Sequence, residues 1–90
     1  MSTSLKNGSI TTGGTAQDIA AERLGRTSIA ITPQDEDLWI NFGQNAATDG
    51  GELVPVRSMA IFDVVRFPEV GGRVSVVSPT TGAKFQFRDV

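Results

Sequence analysis

The chain has no cysteine, no histidine and no tyrosine, a single tryptophan and four prolines in 90 residues. Each scarcity removes a class of explanation. Without cysteine there is no disulfide to close a small fold, and nothing argues for an oxidising compartment. Without cysteine or histidine the ordinary structural zinc site is out of reach. Without histidine the many serine and threonine hydroxyls lack the usual base that turns a hydroxyl into a nucleophile. No apolar run approaches the ~20 residues of a membrane span, and the first eight residues lack the apolar stretch of a secretion signal. No membrane association is expected, and assembly in the cytoplasm of the producing cell is.

Charge is also undramatic. Eight basic and ten acidic residues leave a formal net charge of −2. After residue 50 the signs alternate, with Arg57, Arg66, Arg73, Lys84 and Arg88 set among Glu52, Asp63, Glu69 and Asp89. A nucleic-acid binder needs a basic patch to neutralise phosphates, so nucleic acid is not the expected partner. The one acidic cluster is Asp35-Glu36-Asp37. It lacks the glycine and the distant glutamate of a calcium-binding loop and reads as a solvated turn. Gly13-Gly14 and Gly50-Gly51 lack the lysine and helix of a phosphate loop. No catalytic residue, metal ligand or cofactor is assigned, and no enzymatic activity is expected.

What is present is alternation. Ser28-Ile29-Ala30-Ile31-Thr32, Leu38-Trp39-Ile40-Asn41-Phe42, Val74-Ser75-Val76-Val77 and Lys84-Phe85-Gln86-Phe87-Arg88 place successive side chains on opposite faces, with apolar residues on one of them. Trp39 falls on the face opposite Leu38, Ile40 and Phe42, so a second sheet, a loop or another subunit is expected to cover it. Ser9–Thr12 reads as a short strand stopped by Gly13-Gly14. The segment 15–24 suits either a helix or a strand and turn, and the β character of its surroundings favours the latter. Residues 43–51 form a long polar connection. Glu52–Arg57 reads as an edge strand, because Pro55 cannot donate to a central ladder. The more continuously apolar 58–67 suggests burial on both faces or an interface strand. Residues 73–78 and 83–89, joined by Pro79-Thr80-Thr81-Gly82, read as a terminal hairpin.

These add up to seven or eight short strands with turn signals about every ten residues, an all-β sandwich or small barrel spanning residues 9–90. Residues 1–8 are small and polar apart from Leu5 and read as a flexible arm. A domain of this length buries somewhat over ~60% of its unfolded surface, so support from an oligomer or a larger body is expected.

Three blocks carry a family resemblance. Gly8-Ser9-Ile10-Thr11-Thr12-Gly13-Gly14-Thr15-Ala16-Gln17, then Asp37-Leu38-Trp39-Ile40-Asn41-Phe42-Gly43 with Ala46-Ala47, then Val74–Phe85 resemble small virion proteins of tailed bacteriophages, of the capsid decoration (cement) and head-fibre type. The resemblance implies a jelly-roll-like β-sandwich on the capsid surface of the virion, commonly a homotrimer, whose partner is the major capsid protein. The family carries no catalytic residues to transfer. The arm residues Ser2, Thr3, Ser4, Leu5, Lys6 and Asn7, together with Trp39, Phe62 and Arg66, are the expected partner-binding residues. A head-fibre, neck or tail-adaptor subunit and a carbohydrate-binding β-sandwich are the alternative readings.

Overall fold

Alternating apolar residues need a partner layer, and the computed structural model, which describes residues 6–90, supplies it as two antiparallel sheets packed face to face. The strands are β1 (Lys6–Ser9), β2 (Gln17–Ala20), β3 (Ser28–Pro33), β4 (Leu38–Phe42), β5 (Glu52–Val54), β6 (Ala60–Asp63), β7 (Val74–Val77) and β8 (Lys84–Asp89), with a single 3₁₀ turn at Pro68–Gly71 among the described residues. Sheet I has the order β1-β8-β3-β6 and sheet II the order β2-β7-β4-β5. Every connection except β4–β5 crosses from one sheet to the other. This is the strand order of an eight-stranded jelly roll.

The inward faces interlock. Leu38, Ile40 and Phe42 of β4, with Val74 and Val76 of β7, meet Ile29 and Ile31 of β3 and Phe85 and Phe87 of β8. Phe42 of sheet II and Phe62 of sheet I meet edge to face at 5.5 Å and 67°, and Phe67 caps Phe62 in the same manner at 4.9 Å. That is the arrangement aromatic quadrupoles favour.

Several expectations change. Residues 73–89 do not form a hairpin: β7 pairs with β2 and β4, whereas β8 pairs with β1 and β3. The Pro79–Gly82 turn carries the chain across the sandwich instead. Gly82, at φ 85°, makes this possible, and its N–H donates to the Ile10 carbonyl at 2.7 Å. The first strand starts at Lys6 rather than Ser9, so Lys6, Asn7 and Gly8 belong to the sheet and not to an arm. The expected arm residues Ser2, Thr3, Ser4 and Leu5 lie outside the described residues. Segment 15–24 contains strand β2, as its surroundings suggested. Of the continuously apolar run 58–67 only Ala60–Asp63 is strand, the edge strand β6 with Ile61 exposed, and the strand buried on both faces is β7.

Candidate interaction surface

The nine-residue β4–β5 connection explains why β7 is buried twice. It folds back over the outer face of sheet II, where the buried Ala46 donates its N–H to Ser75 Oγ at 3.0 Å. Asn45 Oδ1 accepts from Arg73 at 3.0 Å, and Arg73 also grips Asp18 at 2.6 Å. Gly43, at φ 77°, starts the reversal. The loop thus covers the middle of this face and leaves its β5 margin open.

At that margin stands Trp39. The register sets Trp39 opposite Leu53 on β5 and Val77 on β7, so the three share the outer face. Val77 is buried, Trp39 is half-buried beside Gly51, and Leu53 is 51% exposed. An indole and an isobutyl group side by side on an outer face make an aromatic-plus-aliphatic spot of the kind that anchors protein contacts.

The apolar exposure continues around this side of the sandwich. Among the described residues, six of the eight exposed large apolar side chains fall between residues 53 and 65: Leu53, Val56, Met59, Ile61, Val64 and Val65. These residues lie on the two edge strands β5 and β6 and their flanks.

The other sequence-derived candidates go elsewhere. Phe62 is 5% exposed and is a core residue, because β6 turns Phe62 and Ala60 inward and Ile61 outward. Expected among the partner-binding residues, Phe62 is turned into the core, and the side chain that this strand exposes is Ile61. Arg66 is exposed, yet its guanidinium closes its own turn on Asp63 at 3.1 Å. The Arg66 backbone N–H, then its side chain, hold the Asp63 carboxyl below the usual carboxylate range. Lys6 lies 5.8 Å from the centroid of the Phe87 ring, and Asn7 Oδ1 accepts from Gln86 at 3.1 Å. Both are strand residues at the sheet I edge formed by β1, far in sheet order from β6.

The acidic turn is not merely solvated. Asp35 Oδ2 accepts the Lys84 N–H and Asp37 Oδ1 accepts the Val56 N–H, each at 2.9 Å. The two carboxylates point to different backbone segments and brace the β3–β4 crossing.

Arg26, which no motif marks, is the most heavily engaged polar side chain described. Its side chain is 2% exposed. Nε donates to Asp89 at 2.9 Å, Nη1 to the Val70 and Gly72 carbonyls, and Nη2 to the Ala21 carbonyl. It forms the floor of an open groove of about 480 Å³ that Lys6, Arg23 and Asp89 also line. With four of its five N–H donors committed, Arg26 binds the end of the sandwich together and offers the groove little. A second groove, about 420 Å³, is lined by Asn7, Gly8, Ser9, Gln34, Lys84 and Phe85. Among the described residues no cluster of three acidic, histidine or cysteine side chains is placed to hold a metal ion, and no helix is long and apolar enough to cross a membrane.

Comparison of the chain with protein-family models, with curated proteins and with solved structures finds no match in any of the three.

Proposed function

We propose that this chain is a structural docking module, a capsid decoration (cement) protein of a tailed bacteriophage that binds the assembled head and bridges neighbouring major capsid subunits. The observation that carries the docking reading is the Trp39–Leu53 pair, an apolar anchor left open on the outer face of sheet II while a folded-back loop seals the rest. Jelly rolls serve in viral shells and in lectins alike, and the fold by itself does not choose between them. The three sequence blocks resembling small phage virion proteins favour the shell. A module that binds the assembled shell and not its free subunits stabilises the shell by mass action, and repeated copies add through avidity.

The test is binding to heads assembled without the protein. Saturation at hundreds of copies per head supports decoration, and six or twelve copies point to a neck or tail adaptor. Leu53→Asp and Trp39→Ala each lower the affinity about tenfold or more, the loss of a contact worth ~1.4 kcal/mol or above. Wild-type protein that ignores heads, or variants that bind them unchanged, overturn the proposal. Glycan-array binding that disappears in Trp39→Ala transfers the site to carbohydrate recognition.

A further inference from the structure

A sandwich of two open sheets has four edge strands, and edges with unpaired backbone groups are commonly protected against pairing with other chains. Three of the four here carry such protection. β1 is polar throughout and begins with Lys6. β2 has a register slip between Asp18 and Ala20. β5 is three residues long and runs into Pro55. β6 is different. Residues 59–63 contain no proline and no lysine, the register with β3 is regular, and Met59 and Ile61 stand 57% and 50% exposed. Its one charge, Asp63, sits at the strand's end, tied back by Arg66.

We infer that β6 pairs edge to edge with β6 of a second copy, antiparallel about a two-fold axis, joining two copies of sheet I into one eight-stranded sheet. The occupant follows from the comparison of edges. Within this chain β6 has one compatible edge, and that edge is β6 itself, so the contact is isologous and closes at two copies. Side-chain complementarity selects the register. Pairing centred on Ala60 sets Met59 of each copy opposite Ile61 of the other and leaves each Asp63 with its own Arg66. Pairing centred on Ile61 would set the Asp63–Arg66 ion pair against Met59 of the other copy, taking charged groups out of water against an apolar side chain. A two-fold contact also departs from the trimer that the sequence resemblance implies.

This inference rests on the edges of the fold and not on shell docking, so it is tested on the free protein. Light scattering across a wide concentration range gives a mass of about twice the 9.5 kDa chain for the wild type. Ile61→Lys puts a charge on an exposed mid-strand position and gives a monomer with an unchanged far-ultraviolet circular dichroism spectrum. Met59→Lys, just outside the strand, gives the same result and serves if Ile61→Lys does not fold. Leu53→Lys, on the other sheet, remains a dimer. A wild-type monomer at every concentration, a trimer, or a dimer that survives both β6 substitutions overturns the inference.

Discussion

Arg26 shows how much one side chain can hold. It is buried at the sandwich end and ties together β8 through Asp89, the 3₁₀ turn through the Val70 carbonyl, Gly72 beyond it and Ala21 after β2. Burial would raise the Asp89 carboxyl. The hydrogen bond from Arg26 and the charges of Arg23, Arg26 and Lys6 outweigh that and hold it below the usual carboxylate range. A depressed native pKa stabilises the fold fully above the unfolded carboxyl's pKa of about 3.9, and that stability is lost as pH falls through the lower native value. Arg26→Ala leaves Asp89 partly uncompensated and three carbonyls without their donor. It is expected to cost about 3 kcal/mol or more in urea unfolding at neutral pH, and to shrink the fall in stability below about pH 4. A loss under about 1 kcal/mol, or an unchanged acid profile, contradicts this role. Nothing in the local sequence announces it. The alternation of residues 26–32 puts Arg26 only at the start of a strand, on its polar face, and the partners lie up to 63 residues away.

At the scale of elements, the β1–β2 and β7–β8 crossings are the features that define the topology, and they are built against each other. The Gly14 N–H donates to the Ser78 carbonyl and the Gly13 N–H to Thr81 Oγ1, both at 2.8 Å, and the Ile10 N–H donates to the Ala83 carbonyl at 2.8 Å. A Cβ on Gly13 would run into the Pro79 carbonyl. Gly13→Ala is therefore expected to destabilise the fold by about 1–3 kcal/mol through forced backbone displacement, measured as a lower urea midpoint with an unchanged slope. A midpoint equal to wild type contradicts the close packing of the two crossings. The strands themselves were largely legible: Ile29 and Ile31, Leu38, Ile40 and Phe42, and Phe85 and Phe87 announce their inward faces by alternation. Their sheet assignment was not. Pro79-Thr80-Thr81-Gly82 is equally good chemistry for a hairpin and for a crossing, and only the pairing of β7 and β8 with distant strands decides. β1 was shifted because its inward position is Gly8, where the Phe85 ring occupies the space a side chain would fill. Alternation carries no sign of that. Phe62 was misassigned because Ile61-Phe62 gives no phase to an apolar run, and the Trp39–Leu53 pair became visible only with the register of β4 and β5.

For the whole molecule, the repeated crossing between sheets makes nearly every strand pairing distant in sequence. β1 and β8, at opposite ends of the described chain, are direct neighbours. The ends of the chain must meet before sheet I is complete, and the loop-closure entropy of that step precedes its reward. Refolding from urea is accordingly expected on the millisecond-to-second scale typical of non-local β folds, ~10³ or more slower than helical bundles. A dominant microsecond phase in rapid-mixing or temperature-jump experiments would show that the order β1-β8-β3-β6 does not govern the rate. With no disulfide and a core limited by chain length, burial against further protein has large leverage on such a molecule. Trp39–Leu53 and the free edge of β6 offer it on two separate surfaces.

The placement of the lone tryptophan also makes the protein its own optical probe. Its indole lies on the outer face of sheet II rather than between the sheets, half-covered and beside an exposed leucine. Emission from this chain therefore reports the wetness of one patch of surface. Anything that seats itself there shifts the spectrum to the blue while the core stays silent, so occupancy of that patch can be followed by light alone, without a label.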